Sequence, residues 1–134
     1  MKLHFTKMQA AGNDYVYFDC RAGGLPTRKE AAALAVRLSR RRFSVGGDGI
    51  ILIGPPLLAD GDAAMYIYNA DGSEGAMCGN GVRCVAEYLY THGVRRGCIQ
   101  IDTPQAGRKT LHRVAPQVWQ AGMGHFSARA EVFP

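Results

Sequence analysis

The most constraining feature of the chain is a cysteine placed where a glycine-rich turn runs into an amphipathic helix. Cys78 lies in the run Met-Cys-Gly-Asn-Gly-Val-Arg-Cys at residues 77–84. From Val82 to Leu89 the apolar residues recur at i, i+3, i+4 and i+7, which is the spacing of one helical face, and Gly93 provides a stop. The sequence therefore predicts a helix that starts at Cys78.

The start of a helix favours a negative charge. The first N–H groups have no partner within the helix, and the macrodipole is positive there. A thiolate and a bound carboxylate would both be stabilised at such a position. Glycines at positions 79 and 81 would let a substrate lie against the backbone. We interpret Cys78 as a catalytic thiol; the alternative is a small buried hydrophobic residue, the usual role of cysteine.

Length and composition predict one globular domain. The chain has 134 residues, of which 47% are hydrophobic and 20% are charged. No apolar run approaches the roughly eighteen residues of a membrane span, and Met1–His4 lacks the apolar core of a signal peptide. We therefore expect a cytoplasmic protein without a membrane partner. In that compartment the four cysteines should be free thiols.

The net charge of +5 has a structural explanation. Four arginines lie within Arg37–Arg42, at the end of a helix predicted over Pro26–Arg42 that opens with Thr27 and Glu30 in capping-box spacing. Cations are favourable at a helix C-terminus. Aromatic residues are not interleaved with these arginines, so we expect no nucleic-acid partner. The histidines and the other cysteines lack metal-ligand spacing, so we also expect no metal.

Strands account for most of the remaining pattern. They are predicted at Leu3–Met8, Tyr15–Phe18, Ile50–Ile53, Met65–Tyr68, Ile99–Asp102, Thr110–Val114 and Val118–Met123. A turn is predicted at residues 12–14, and Cys84 is predicted to pack within the second helix. Two helices and many short strands predict an α+β domain in which a sheet curls round a helix.

Four motifs in order extend the pattern round Cys78. They are Gly12-Asn13-Asp14-Tyr15, Val45-Gly46-Gly47-Asp48-Gly49, Asn69-Ala70-Asp71-Gly72-Ser73 and the run at 77–84. Together they resemble the N-terminal, first-cysteine half of diaminopimelate epimerase. The resemblance implies a strongly curved, barrel-like sheet wrapped round a central helix, one half of a two-domain fold. The chain ends at Pro134, where the first such domain should end, so we expect residues 1–134 to be that single domain with the second domain absent.

The resemblance also implies a function and a set of site residues. Diaminopimelate epimerases are cofactor-independent isomerases that interconvert LL- and meso-diaminopimelate, in lysine and peptidoglycan precursor biosynthesis, with two cysteines as bases. Cys78 would be the first base, and the N–H groups of Gly79 and Asn80 would hold the α-carboxylate. Asn13 and Asn69 would bind the distal end of the substrate. On the residues alone, a turn residue is the favoured interpretation of both asparagines, and the motif reverses that preference.

Other interpretations remain open. A related isomerase could act on proline, histidine or another amino acid, and a truncated chain could be a non-catalytic binding module. The resemblance further implies a homo-oligomer. Since one thiol cannot both remove and return a proton on opposite faces of a carbon, we expect the 134-residue chain to be inactive alone.

Overall fold

The computed structural model describes residues 4–10, 12–40, 46–75, 78–123 and 126–133, with side chains as far as Ala121. Within these ranges the elements in chain order are β1 (Thr6–Ala10), β2 (Asn13–Asp19), α1 (Arg28–Leu38), β3 (Gly49–Gly54), β4 (Ala63–Asn69), β5 (Glu74–Gly75), α2 (Gly79–Thr91), β6 (Cys98–Thr103), β7 (Gly107–Ala115), β8 (Val118–Met123) and β9 (Phe126–Phe133). The mixture of helices and strands confirms the predicted α+β class.

Eight of the strands form a closed ring. Their order is β3-β2-β1-β9-β8-β7-β6-β4, and β3 also pairs with β4. The pairs β2–β3 and β4–β6 are parallel, and the other pairs are antiparallel. The short strand β5 extends the edge of β4 beyond the two residues that contact β6. The predicted strongly curved, barrel-like sheet is confirmed.

Helix α2 occupies the interior of this ring. Side chains alternate between the two faces of each strand, so residues two apart point to the same side. The inward-facing set packs with buried residues of α2 into one core: Met8, Ala10, Tyr15, Tyr17, Ile51, Ile53, Ala63, Met65, Ile67, Ile99, Ile101, Leu111, Trp119 and Ala121 with Val82, Cys84, Val85, Ala86 and Leu89. The prediction that Cys84 packs within the fold is confirmed.

Helix α1 covers the outer face of the ring. Ala31 and Ala35 pack there against outward-facing residues of β2 and β3, including Val16 and Ile50. Strand β3 is consequently covered on both sides, and all six of its residues are buried. This explains its nearly continuous apolar sequence.

Several boundaries differ from the sequence predictions. Helix α1 begins after Thr27 rather than at Pro26 and ends at Leu38, where the Ser39 N–H bonds to the Ala35 carbonyl. Residues 41–45 lie outside the described part. Asn13 and Asp14 are the first residues of β2 and not a turn, because they pair with Ala10 and Gln9. Strand β9 was not predicted. Neither helix in the described ranges has the length and hydropathy needed to cross a membrane.

Candidate active site

Four elements meet at one end of the barrel. These are the starts of β2 and β3, the end of β4 and the start of α2. The Asp14 N–H donates to Asp48 Oδ2 at 2.9 Å, and the Asp48 N–H donates to the Asp14 carbonyl at 2.7 Å. Across the next pair, Gly49 lies opposite Asn69. The motifs that are far apart in sequence thus converge on this end.

Cys78 is the N-cap of α2. Its backbone is extended, its side chain is half-buried, and Sγ accepts the Gly81 N–H at 3.1 Å. Its carbonyl accepts the Val82 N–H at 2.9 Å. The two remaining first-turn N–H groups, of Gly79 and Asn80, have no partner among the described residues. The predicted start of the helix is therefore confirmed, with two donors left for a ligand.

Gly81 lets the sulfur lie against the first turn. A Cβ at this position would be 3.2 Å from Cys78 Sγ and 2.8 Å from Ile51 Cδ1. Any side chain would therefore displace the sulfur or the core residue behind it. A glycine at position 81 is thus a geometric requirement of this arrangement.

Arg83 places a buried cation beside the site. Its Nη1 donates to the Gly79 carbonyl at 2.8 Å and to Asn80 Oδ1 at 3.3 Å. Burial lowers the pKa of Arg83, and the nearby thiols of Cys78 and Cys84 oppose that shift. Arg83 lies within the run at 77–84, so its place in the motif could have identified it as a candidate site residue.

Tyr15 was also missed by the sequence predictions, although it ends the Gly12–Tyr15 motif. Its side chain is buried in the inner core, against which the Cys78 side chain also packs. The pKa of Tyr15 is raised well above its usual range, first by burial and then by Cys78, Asp48 and Asp14. The phenol therefore stays protonated at neutral pH.

The two predicted asparagines lie at the same end of the barrel but on strands separated by β3. Asn69 ends β4, where its Nδ2 donates to Ser73 Oγ at 3.1 Å and its N–H donates to the Ser73 carbonyl at 2.8 Å. Asn13 begins β2, and both side chains are half-buried. The structure therefore brings Asn13, Asn69 and Cys78 to a common end without direct contact between the asparagines.

The other cysteines are in different surroundings. Burial raises the pKa of Cys84 to about 11, and burial followed by the Asp19 carboxylate raises the pKa of Cys20. All four cysteines are unpaired in the structure. The described residues contain no group of three or more His, Cys, Asp or Glu arranged to hold a metal ion.

A surface groove lies elsewhere, on the outer face of the sheet. Its lining includes Leu25, Tyr66, Tyr68 and the ion pair between Arg28 and Glu74, whose Nε and Oε1 are 3.3 Å apart. Tyr66 and Tyr68 belong to the outer packing under α1, whereas Cys78 packs against the inner core. The groove is therefore separate from the site round Cys78.

Solved structures share the fold at low sequence identity. A PhzF-family phenazine biosynthesis protein of Enterococcus faecalis matches with a TM-score of 0.70 and 11% identity, over 90% of this chain and 43% of that protein. A probable proline racemase of Agrobacterium radiobacter matches with a TM-score of 0.63 and 19% identity, over 91% of this chain and 42% of that protein.

Curated relatives are much closer in sequence. Diaminopimelate epimerase of Desulfovibrio desulfuricans is 47% identical over 81% of this chain and 36% of its own length. The enzyme of the same name from Leptospira biflexa is 42% identical over 83% of this chain and 37% of its own length. The chain thus spans little more than a third of these relatives. The family model described as diaminopimelate epimerase matches residues 5–125, and the chain belongs to that family.

Proposed function

We propose that this chain forms one half of a cofactor-independent diaminopimelate epimerase site, in which Cys78 is one of two bases. The thiolate removes the proton from Cα of the substrate and becomes a thiol. A second thiol, from residues beyond these 134 or from another copy, delivers a proton to the opposite face. The net result is inversion at one carbon, with no change in oxidation state.

The observation that best supports this proposal is the first turn of α2, where two backbone N–H groups are open. Sγ takes the Gly81 N–H, whereas the N–H groups of Gly79 and Asn80 have no partner among the described residues. A carboxylate of the substrate would accept both bonds, and these would strengthen as negative charge spreads from Cα. Arg83 adds a cation near this turn, and the first turn contains no acidic residue to compete.

Asn13 and Asn69 would bind the distal amino-carboxylate of the substrate. An amide side chain offers both a donor and an acceptor, which suits a zwitterionic group. Their half-buried positions on β2 and β4, at the same end as Cys78, support this assignment. The substrate would then extend from the start of α2 towards the ends of these strands.

Sequence identity favours diaminopimelate over other amino acids. Relatives named diaminopimelate epimerase share 40% to 50% of aligned residues with this chain, whereas the proline racemase structure shares 19% and demonstrates the fold alone. We further propose that the protein works in lysine and peptidoglycan precursor synthesis in the cytoplasm, as a homo-oligomer.

An NMR titration of the chain tests the binding part of this proposal. We expect diaminopimelate to shift the amide resonances of Gly79 and Asn80, and Asn69→Ala to weaken the effect by about tenfold through loss of a distal contact. Lysine is the matched control ligand because it lacks the distal carboxylate, and it should shift these amides much less. Equal responses to both ligands would contradict the assignment of the asparagines.

The same samples in D2O test the chemistry. Because residues 1–134 hold one assigned base, we expect no conversion of LL- to meso-diaminopimelate above that of Cys78→Ala, whereas deuterium incorporation at Cα with retained configuration would need only that one base. Inversion that depends on Cys78 would contradict a one-base chain and would indicate that two copies assemble a complete site. Light scattering of the same samples would then report the number of copies.

A further inference from the structure

A buried arginine reaches back over the first turn of α2. Arg83 is 3% exposed, and its Nη1 donates to the Gly79 carbonyl at 2.8 Å and to Asn80 Oδ1 at 3.3 Å. Side chains of a helix point towards its N-terminus, so a residue at this position can meet those three and four places earlier. One guanidinium nitrogen therefore holds the two residues whose N–H groups have no partner among the described residues.

The bond to the Gly79 carbonyl also acts on the Asn80 N–H. The carbonyl and this N–H belong to one planar peptide group, whose C–N bond has partial double-bond character. A cation at the oxygen increases that character, so the N–H at the other end becomes a stronger donor. The preceding peptide group differs, because the Cys78 carbonyl accepts the Val82 N–H at 2.9 Å and bonds no side chain in the described part of the chain. We therefore expect the Asn80 N–H to be more polarised than the Gly79 N–H.

The bond to Oδ1 fixes the direction of the Asn80 side chain. An asparagine near a helix start can turn its amide oxygen onto nearby backbone N–H groups. Here Oδ1 faces the Arg83 guanidinium instead, so this oxygen does not occupy the N–H groups of Gly79 and Asn80. The first turn also contains no acidic residue that could do so. The start of α2 therefore stays open to an acceptor from outside the helix.

We propose that Arg83 is a positioning residue: through the Gly79 carbonyl and Asn80 Oδ1 it orients the first turn of α2 and strengthens the Asn80 N–H towards a substrate carboxylate. The identity of the substrate rests on the proposed function. The polarised peptide group does not, because both bonds of Arg83 are made within this chain. Arg83 acts through its two neighbours and needs no contact with the substrate.

Water-exchange NMR of the free protein tests the polarised peptide group. Near neutral pH amide exchange is base-catalysed, so a more polarised N–H exchanges faster. In Arg83→Met we expect the exchange rate of the Asn80 N–H, divided by that of the Gly79 N–H, to fall about threefold, because the cation on the carbonyl is lost. Arg83→Lys keeps a cation on a long stem and should restore most of the ratio. Arg113→Met is the matched control: that arginine lies over the ring of Tyr90 in the last turns of α2, and its loss should leave the ratio unchanged.

The ratio separates positioning from a general role in folding. A variant that loosened the helix would speed the exchange of both amides, whereas the proposal requires a slower Asn80 N–H. If Arg83→Met does not fold, Arg83→Gln replaces it, since glutamine is also uncharged but remains polar. An unchanged or raised ratio in the folded uncharged variant, or an equal fall in Arg113→Met, would overturn the proposal.

An NMR titration of the same variants with diaminopimelate tests the link to the substrate. We expect the dissociation constant to rise about threefold in Arg83→Met and to change little in Arg113→Met. Equal affinity in Arg83→Met and the parent would overturn the role of Arg83 in carboxylate binding. If the parent did not bind diaminopimelate at all, the proposed function would fail, and the exchange ratio would still decide whether Arg83 polarises the first turn.

Discussion

The two helices begin with different caps. At the start of α1 the Thr27 hydroxyl accepts the Glu30 N–H at 3.2 Å, and Glu30 Oε1 accepts the Thr27 N–H at 3.0 Å. At the start of α2 the cap is the sulfur of Cys78, which accepts one N–H and leaves those of Gly79 and Asn80 without a described partner. In α1 the N–H groups of Arg28 and Lys29 likewise have no described partner, but they are exposed and share the first turn with Glu30. In α2 the two open N–H groups are half-buried, and the first turn contains no acidic residue.

The difference shows where each helix obtains its stability. Helix α1 is exposed along most of its surface and buries only Ala31 and Ala35. Helix α2 buries eight of its residues inside the barrel. The start of α2 lacks the reciprocal side-chain bond that Glu30 makes in α1, and the packing of α2 offsets that loss. A helix can therefore begin without a capping box when its other turns are held by the core.

The largest expected effect tests this difference in packing. Leu89 of α2 is fully buried, and Leu34 of α1 is half-buried against the outer cluster. Leu89→Ala should lower the free energy of unfolding by about 3 kcal/mol, through lost transfer energy and a cavity. Leu34→Ala should cost about 1 kcal/mol, since it removes less buried area. Urea denaturation measures both, and equal costs would mean that the outer helix is as important to the fold as the central one.

Local signals in the sequence located the helices better than the strands. The capping box at Thr27 and Glu30 and the start of α2 at Cys78 are confirmed, since each depends on a few neighbouring residues. Strand β9 was missed although residues 126–132 alternate Phe, Ser, Ala, Arg, Ala, Glu and Val, a period-two signal. Closure of the ring between β9 and β1 involves pairs more than a hundred residues apart, which no local pattern encodes.

The site residues likewise divide into those that a local sequence pattern could predict and those that it could not. Cys78 could be predicted because its thiol, glycines and helix start are contiguous in sequence. The position of Tyr15 in the core against which that thiol packs could not be predicted, because it depends on which face of β2 points inward and on where α2 enters the barrel. The predicted roles of Asn13, Asn69, Gly79 and Asn80 stay predictions until a ligand is observed.

A smaller effect separates the two caps. Thr27→Ala removes the acceptor of a closed capping box and should lower the free energy of unfolding by about 1 kcal/mol. Cys78→Ser should change it by less than about 0.5 kcal/mol, because a serine hydroxyl is itself a good N-cap acceptor. Alkylation at position 78 disappears in that variant while the fold persists. If Cys78→Ser cost more than Thr27→Ala, the thiol would be needed for stability and its assignment as a chemical group would weaken.

The smallest effect is a difference in pH dependence between the two helix starts. The Glu30 pKa is lowered by its hydrogen bonds to the Thr27 backbone and side chain, so the folded protein favours the carboxylate more than the unfolded chain does. Its contribution to stability is therefore complete above the unfolded pKa of about 4.3 and is lost as the pH falls through the lower, folded value. Glu30→Gln should be less stable than the parent at pH 7 and should approach it in stability at about pH 3 in urea titrations.

Cys78→Ser is the matched control, because the first turn of α2 contains no acidic residue. The stability difference between Cys78→Ser and the parent should therefore stay constant over that acid range. A Glu30→Gln difference that persisted in acid would show that the amide loses something other than the charged half of the capping box.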